Sequence, residues 1–537
     1  MGQGCGMDKE EAIQVQSGET SAAQGDTPDG FGTARWGGRR LFGLVCGPVL
    51  FALMMLLPET VSLSPEARKM AAIALLMATW WMCEAIPIPA TALLPLVLMP
   101  LCGLLPMKEA AAPYASELIF LFMGGFLIAL SMQRWNLHRR IALLVVSCFG
   151  FAPDRLVLGF MVASAGLSAF VSNTVTALMM MPIGMAVIQH VIAEGRRTGN
   201  DAEIDFSPGK FAFGANLMLG IAYACSIGGI ATLIGTPPNT VLAGYLKHAY
   251  GYEITFARWM MVGVPLSIVM LAVCWVWLTR FANPMRLEQV PGGRHLIQAE
   301  LRRLGPMDAG EIVTAVVFGC TAAAWILRET VAGFWPAPSM ISDAVIGMTG
   351  GLLLFVIPVG RRGEFAMNWE WAGRLPWGML LLFGGGLSLA NGFEKTGLSG
   401  WLAGRIELLS NAPLLILVLA VTVLIIFLTE LTSNTATAAM SMPVLSAVAL
   451  GLGENPLLLL VPAALAASCA FMLPVATPPN AIVFGSGSVT MPQMIKSGLA
   501  LNLIGIVLIT LLTYGLAVPL FDIVFGQLPA WTSSAWR

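Results

Sequence analysis

Long uncharged apolar segments, separated by short polar stretches, make up most of this chain. A membrane-spanning helix needs about 20 consecutive, mostly apolar residues, and eleven segments satisfy or approach that length. They lie at 41–58, 69–86, 89–106, 117–134, 212–248, 258–280, 311–328, 340–359, 376–403, 458–486 and 497–524. The pattern therefore predicts an all-α polytopic membrane protein with eleven transmembrane helices.

Two further apolar segments, 156–193 and 412–450, are too long for a single crossing. Each carries the tripeptide Ser-Asn-Thr near its middle, at 172–174 and at 433–435. Polar residues at membrane depth are costly unless they line a cavity. We interpret both segments as re-entrant helical hairpins, which enter the membrane half-way and return to the same side.

Each predicted hairpin is followed by an apolar segment that a pair of prolines interrupts. Thr-Pro-Pro-Asn lies at 236–239 within segment 212–248, and again at 477–480 within segment 458–486. Interrupted segments at corresponding places in two halves are the best sequence pointer to a transporter's binding site. We therefore expect both tripeptides and both interruptions to lie at one central site.

Basic residues indicate the orientation of these segments, because cytoplasmic loops carry more Lys and Arg. Arg35, Arg39 and Arg40 place the N-terminus in the cytoplasm, and most later basic residues then fall in cytoplasmic loops. A full crossing by either hairpin would invert the later loops and lose this agreement. The sequence predicts a cell (inner) membrane protein with its N-terminus inside and its C-terminus outside. The first hairpin then opens to the cytoplasm and the second to the outside.

Hairpins that enter from opposite sides make the two halves an inverted repeat. Residues 1–38 are rich in Gly, Ser, Thr and acids, and we predict a disordered cytoplasmic tail there. The first repeat then covers 39–280 and the second covers 311–537. The polar, Arg-rich residues 281–310 form a cytoplasmic linker between them.

Composition excludes several classes of function. Hydrophobic residues make up 57% of the chain and charged residues 11%, whereas soluble domains average about a quarter charged residues. The net charge of -1 argues against a nucleic-acid partner. The sequence has no His-Glu-x-x-His, no Gly-x-Ser-x-Gly and no nucleotide-binding loop, so neither an enzyme nor an ATP-driven pump is expected.

The predicted central site offers hydroxyl groups, amides and free backbone groups but few charges. Segments 211–246 and 455–495 contain no charged residue, and 408–453 contains only Glu430. Helix N-termini favour anions, while unwound carbonyls favour hard cations. Because a bare dianion near the membrane centre is costly, bound sodium is the natural neutralising charge. The site therefore suits an anion that binds together with small cations.

Three ionisable residues in or beside the apolar segments need an interpretation. Glu430 is either a proton carrier or a structural hydrogen-bonding residue beside the second tripeptide. Glu84, at the inner end of a span, is interpreted as a helix cap or an interfacial residue. His190 lies near the end of the first hairpin, and we expect no metal or catalytic role for it.

These motifs, together with Glu84-Ala85-Ile86-Pro87 and Gly485-Ser486-Gly487, resemble the divalent anion/sodium symporter family, the sodium-coupled di- and tricarboxylate transporters. The resemblance covers roughly residues 40–525. It implies an elevator-type carrier of dicarboxylates or citrate, with a fixed scaffold and a moving transport domain. It also implies a homodimer and co-transported sodium ions.

The resemblance further implies which residues bind the substrate and the cations. The substrate carboxylates would be held by Ser172, Asn173, Thr174, Ser433, Asn434, Thr435, Thr477 and Pro478. The first sodium site would use Ser168, Val171, Asn173 and Gly235. The second would use Thr429, Thr432, Asn434 and Ala476, and most of these contacts would be made by backbone carbonyls.

Two related half-sites that face each other match the near-symmetry of a short dicarboxylate. Sulfate, a single small tetrahedron, would not need both half-sites. We therefore expect sodium-coupled symport of C4-dicarboxylates (succinate, malate, fumarate) into the cell by an elevator mechanism. The alternatives are sodium-independent exchange of dicarboxylates or other anions, citrate transport and, in a different class, a membrane-embedded enzyme.

Overall fold

The computed structural model describes residues 38–57, 63–197, 205–207, 209–285, 293–334, 336–337, 340–360, 363–404 and 413–532. The predicted disordered tail lies outside these residues, except for Gly38, which begins the first helix. Within the described part of the chain the regular structure is helical, with one isolated β-bridge between Pro358 and Phe365. The all-α prediction is confirmed.

The helices of the first half are α1 (Gly38–Met55), α2 (Pro65–Cys83), α3 (Ile88–Thr91), α4 (Leu94–Leu101), α5 (Met107–Ala111), α6 (Glu117–Arg134), α7 (Leu137–Phe149), α8 (Pro153–Ser168), α9 (Asn173–Arg197), α10 (Ala212–Gly229), α11 (Pro237–Tyr250) and α12 (Phe256–Val276). A 3₁₀ turn, Ala112–Ala115, leads into α6. A π-helical segment, Trp277–Ala282, extends α12.

Helix α13 (Gly293–Arg303) lies in the predicted linker. The second half consists of α14 (Ala309–Ile326), α15 (Arg328–Gly333), α16 (Asp343–Val356), α17 (Trp369–Ala372), α18 (Trp377–Lys395), α19 (Leu398–Gly404), α20 (Leu414–Thr429), α21 (Asn434–Gly451), α22 (Leu457–Ala466), α23 (Pro478–Gly485), α24 (Met491–Leu512) and α25 (Val518–Leu520). A second π-helical segment, Thr513–Ala517, joins α24 to α25.

Seven helical stretches in the described residues are long and apolar enough to cross a membrane. They are Gly38–Met55, Met107–Arg134, Asn173–Arg197, Ala212–Gly229, Phe256–Ala282, Ala309–Ile326 and Met491–Leu520. The chain is therefore a multi-pass membrane protein. The count of eleven spans stays a prediction, because several predicted spans consist of two shorter helices.

Proline and glycine divide those spans. Segment 212–248 forms α10 and α11, and segment 458–486 forms α22 and α23, with Thr-Pro-Pro-Asn at the start of the second helix of each pair. Segment 376–403 forms α18 and α19, which are separated at Gly397, whose φ is +73°. Glycine adopts this left-handed backbone at no steric cost.

The two predicted hairpins are also pairs of helices. Segment 156–193 covers most of α8 and α9 and the turn between them, and residues 414–450 cover most of α20 and α21 and the turn between those. The helices of each pair contact each other. The turns between them hold Ser172 and Ser433. That each pair turns back within the membrane stays a prediction.

Helices α10 and α22 form the centre of the molecule. Every residue of α10 from Phe213 to Gly229 is buried, and so is every residue of α22. Gly228 lets α10 contact α8 closely, since a Cβ there would lie 2.2 Å from the Ala165 carbonyl oxygen. Both helices end at the interrupted segments, so the most buried helix of each half leads directly to the candidate site.

Candidate functional site

Each Ser-Asn-Thr tripeptide lies where a helix begins. Helix α9 starts at Asn173 and α21 starts at Asn434. The preceding helices, α8 and α20, end at Ser168 and Thr429. Each tip therefore combines a helix C-terminus, which exposes carbonyl oxygens, with a helix N-terminus, which exposes N–H groups.

The two interruptions repeat this arrangement. Helix α10 ends at Gly229 and α11 begins at Pro237, while α22 ends at Ala466 and α23 begins at Pro478. Proline fits the first helical position because its missing N–H would have no intrahelical partner there. Thr236 and Thr477 cap the two helices with the same extended backbone, φ -141° in both.

The tips and the interruptions of both halves line one cavity of about 480 Å³. Ligand sites in proteins commonly have volumes of about 300–1,000 Å³. Across the interruptions, the Ser468 hydroxyl lies 3.5 Å from the Thr236 hydroxyl oxygen. The predicted residues that line the cavity are Ser172, Asn173, Thr174, Gly235, Thr432, Ser433, Asn434, Thr435, Ala476, Thr477 and Pro478.

The other three predicted residues, Ser168, Val171 and Thr429, are buried and do not line the cavity. Ser168 and Thr429 are still linked to the cavity, because each hydrogen-bonds to an asparagine that lines it. The Ser168 hydroxyl donates to Asn173 Oδ1 at 2.6 Å, and the Thr429 hydroxyl donates to Asn434 Oδ1 at 2.7 Å. A hydroxyl residue thus supports the tip asparagine in the same way in both halves.

Oxygen atoms crowd together beside the first tip. A Cβ on Gly235 would lie 2.5 Å from the Gly229 carbonyl oxygen and 2.9 Å from the Ala169 carbonyl oxygen. A Cβ on Gly229 would lie 2.8 Å from Asn173 Oδ1. A small space bounded by carbonyl, amide and hydroxyl oxygens suits a hard cation. Of the predicted first sodium set, Asn173 and Gly235 border this space, and the set itself stays a prediction.

The second tip has a similar donor set with more internal hydrogen bonds. The Thr429 hydroxyl lies 3.0 Å from the Ala467 carbonyl oxygen as well as 2.7 Å from Asn434 Oδ1, so its one proton has two acceptors within reach. The Thr432 hydroxyl donates to the Leu428 carbonyl at 2.8 Å and lies 2.6 Å from the Thr437 hydroxyl. Because the Thr432 hydroxyl is already paired, a cation here would contact Thr432 through its carbonyl group.

The remaining wall of the cavity is largely apolar, with contributions from Ile88, Phe122, Phe126 and Met379. Among the described lining residues there is no Lys or Arg, and Glu84 is the charged one. An anion in this cavity would therefore depend on helix N-termini, hydroxyls, amides and bound cations rather than on a basic side chain.

The sequence of the chain matches the family model described as "Sodium:sulfate symporter transmembrane region" over residues 39–521. The chain belongs to this symporter family. The resemblance inferred from the motifs is confirmed, and membership of a transporter family confirms that the protein is not an enzyme.

Two relatives of this symporter are named "Sodium-dependent dicarboxylate transporter SdcS". The Staphylococcus saprophyticus protein is 44% identical over 486 residues, which cover 90% of this chain and 92% of the relative. The Staphylococcus aureus (strain USA300) protein is 43% identical over 477 residues, which cover 88% and 91%.

Two solved transporters share the fold of this symporter at low sequence identity. The Alcanivorax borkumensis YdaH transporter aligns with a TM-score of 0.55 at 14% identity, covering 83% of this chain and 99% of that one. MtrF of Neisseria gonorrhoeae aligns with a TM-score of 0.57 at 12% identity, covering 89% and 100%. At such identities the likeness concerns the fold alone.

The structure gives the last residue of each Thr-Pro-Pro-Asn a role that the sequence analysis missed. Asn239 Nδ2 donates to the carbonyls of Gly229, Ile230 and Thr232 at 2.8–3.2 Å. Asn480 Nδ2 donates to the carbonyls of Ala470 and Leu473, both at 3.1 Å. Both asparagines are fully buried and satisfy carbonyls that the interrupted helix leaves free. The repetition of Asn after the prolines was the available signal.

Glu430 accepts hydrogen bonds from the backbone of the second interrupted segment, at residues 471–473. Its Oε1 accepts from the backbone N–H groups of Phe471 and Met472 at 2.7 and 2.8 Å and from the Asn502 amide at 2.7 Å. Its Oε2 accepts from the Leu473 N–H at 3.1 Å. Three of these four donors are backbone N–H groups of residues 471–473, so the Glu430 side chain fixes the backbone of the interrupted segment. This geometry favours the structural interpretation over the proton carrier.

Glu84 is the helix cap that was predicted, and it also lies in the wall of the cavity. It caps the C-terminus of α2 with a left-handed backbone, φ 48° and ψ 43°. The nearby Arg39 guanidinium donates to the Leu431 carbonyl, at the second tip, at 2.8 Å. Neither contact follows from the apolar pattern, because each joins segments that are distant in sequence.

Proposed function

We propose that this symporter carries C4-dicarboxylates such as succinate, malate and fumarate into the cell together with sodium ions. The observation that carries the proposal is the single cavity, which is lined by both Ser-Asn-Thr tips and lacks a basic side chain among its described lining residues. The names of the two Staphylococcus relatives support the same substrate class and the same coupling ion.

In this proposal each tip binds one carboxylate of the substrate. The N–H groups at the starts of α9 and α21 donate to the carboxylate oxygens. Ser433 caps α21 without a side-chain hydrogen bond to it, so its hydroxyl is available to the substrate. Thr174 and Thr435 add hydroxyl groups, and Thr477 and Pro478 complete the second half of the pocket.

Sodium ions occupy the two oxygen-rich places behind the tips. The first site uses Ser168, Val171, Asn173 and Gly235, and the second uses Thr429, Thr432, Asn434 and Ala476. Each asparagine belongs both to a cation site and to a substrate tip, so a bound cation orders the asparagine that the anion contacts. Two sodium charges also neutralise a dianion inside the membrane. Sodium therefore binds before the dicarboxylate.

We also propose that transport follows an elevator mechanism in a homodimer. We call the helices that carry or flank the repeated motifs the site elements; they are α8, α9, α11, α20, α21 and α23. We call the helices of the remaining cavity wall the wall elements; they are α2, α3, α6 and α18. To open the cavity to the other side, the site elements must move relative to the wall elements. Re-entrant hairpins that form an inverted repeat would place the two tips face to face. The N-terminus is then cytoplasmic and the C-terminus external.

The geometry favours a dicarboxylate over sulfate or citrate. Sulfate would engage one tip and leave the helix N-terminus of the other tip without a ligand. A third carboxylate of citrate would meet either the apolar wall or Glu84. Both anions are therefore expected to compete weakly with succinate.

The proposal is tested by uptake of labelled succinate into proteoliposomes that contain the purified protein and no internal dicarboxylate. An inward sodium gradient should drive accumulation, and an equal potassium gradient should not. Uptake that ignores sodium but appears once unlabelled dicarboxylate is loaded inside would establish exchange and contradict the coupling proposed here. Absence of succinate uptake under every condition would contradict the substrate class.

A further inference from the structure

Five charged residues lie together at one end of the molecule, away from the cavity. Lys247 lies in the last turn of α11, and Glu253 follows in the next loop. Glu117 begins α6, and Arg328 and Asp343 begin α15 and α16. The positive-inside pattern predicts that Lys247 and Arg328 lie on the outer side. The substrate and cations of the proposed function do not use this cluster.

The ion pairs of this cluster join the site elements to the wall elements. Lys247, on α11, forms an ion pair with Glu117, on α6. Arg328 Nη1 lies 2.5 Å from Glu253 Oε1. The Phe256 backbone N–H, at the start of α12, donates to Asp343 Oδ2 at 2.7 Å. All three contacts connect the α11–α12 region with the region of α6, α15 and α16.

Helix α16 belongs with the wall elements because it packs along α6. A Cβ on Gly124 of α6 would lie 2.3 Å from the Gly347 carbonyl carbon of α16, so the two backbones are in direct contact. Arg328 and Asp343 also pair with each other at 3.6 Å. Within the α11 region, Lys247 pairs with Glu253 at 3.7 Å. Each side of the boundary is thus internally connected.

We propose that this cluster is an outer latch: ion pairs that hold the site elements against the wall elements while the cavity faces the cytoplasm, and that must separate before the cavity opens outward. The inference rests on the alternating access of the proposed function. It also agrees with the position of Glu84, at the predicted inner end of a span, in the wall of the cavity.

The charged side chains of the latch are partly exposed, at 31% for Lys247 and 39% for Glu117. Ion pairs of this kind hold strongly enough to bias an equilibrium but weakly enough to break in each cycle. Asp343 is the exception, because its side chain is only 7% exposed. Because Asp343 is buried, it is the least mobile member of the cluster, and it fixes the position of Arg328 on the wall side.

The first test is cross-linking of the full-length protein in a variant without its nine native cysteines. Lys247→Cys is combined with Glu117→Cys, across the boundary, or with Glu253→Cys, on the same side of it. A short, reducible bifunctional thiol reagent should abolish succinate uptake in the first pair, and reductant should restore it. The matched second pair should keep its uptake after cross-linking. Sodium-dependent stabilisation by succinate should persist in both.

Full uptake by the completely cross-linked Lys247–Glu117 pair would overturn the latch, and so would equal loss in both pairs. Absence of sodium-dependent uptake before any cross-linking would contradict the proposed function instead, so the two failures are distinguishable.

A charge exchange gives an independent test. With Ala481→Cys as a reporter in the cavity, Lys247→Glu should increase labelling by an impermeant thiol reagent added outside by about two- to fivefold. Adding Glu117→Lys restores an opposite pair and should return labelling to the slow rate. Equal labelling in the single and double variants would overturn the proposal.

Discussion

Replacing Asn173 or Asn434 with alanine removes the same amide oxygen from corresponding places in the two halves. The two changes differ in what they leave behind. Ser168, fully buried, donates its hydroxyl to Asn173. The Thr429 hydroxyl has two acceptors within reach of its one proton, Asn434 Oδ1 and the Ala467 carbonyl oxygen. Asn173→Ala therefore removes the partner that Ser168 uses, whereas Asn434→Ala leaves Thr429 with an acceptor.

This difference sets the expected magnitudes. A buried polar group left without a partner costs about 1–3 kcal/mol, whereas loss of one ordinary hydrogen bond costs about 0.5–1.5 kcal/mol. Asn173→Ala should therefore lower the free energy of unfolding more than Asn434→Ala. The double variant Ser168→Ala/Asn173→Ala removes both partners and should regain most of that loss, because replacing both groups of a hydrogen bond is nearly neutral.

Function should not follow stability in this series. Each variant loses an oxygen that the proposal assigns both to a cation and to the substrate, so all three should fail to accumulate succinate. Unfolding in detergent, once in sodium and once in potassium, measures the loss of stability and the loss of sodium binding, and an uptake assay measures transport. Sodium should stabilise the wild-type protein by about 2.7 kcal/mol for each site at a hundred times that site's Kd, and it should stabilise each variant less. Equal destabilisation by the two single changes, or normal uptake by the double variant, would refute this reasoning.

Three further predictions concern residues around the site. Asn480→Ala leaves the Ala470 and Leu473 carbonyls without their donor. These carbonyls belong to the interrupted segment that also contains Ala476 of the second sodium site, so the sodium concentration for half-maximal uptake should rise. An unchanged concentration would contradict a role of Asn480 in shaping that site. Glu430→Gln replaces an acceptor of four N–H groups with a side chain that also donates, and thermal unfolding in detergent should show a loss of several kcal/mol. A stable Glu430→Gln protein whose uptake has lost only its pH dependence would favour the proton carrier. His190→Ala should leave uptake unchanged, and a large loss would show that His190 has a function.

The repeated motifs predicted which distant segments meet. Ser-Asn-Thr and Thr-Pro-Pro-Asn combine polar groups and prolines that an apolar environment tolerates only around a cavity. The structure brings both copies of each to the same cavity. Helix boundaries were predicted well where the apolar run is uninterrupted, as for 117–134, which is helix α6. They were predicted less well where Gly397 divides an apolar run into two helices.

Contacts between segments that are distant in sequence account for what the pattern did not show. The pairing of Lys247 with Glu117 joins residues 130 positions apart, and Glu430 contacts Asn502 across 72 positions. Hydrophobic periodicity indicates which face of a helix is buried but not which helix covers it. The role of Glu84 was only half predicted for the same reason, since its cap is local and its place in the cavity wall is not.

The central claim is that one cavity between two tips binds a dicarboxylate together with sodium. Equilibrium binding of labelled succinate to the purified protein, in sodium or in potassium, tests it most directly. We predict saturation at one succinate per chain in sodium, no saturable binding in potassium, and no competition from butyrate, which has a single carboxylate. Equal binding in the two salts, or displacement of succinate by butyrate at similar concentrations, would contradict the account.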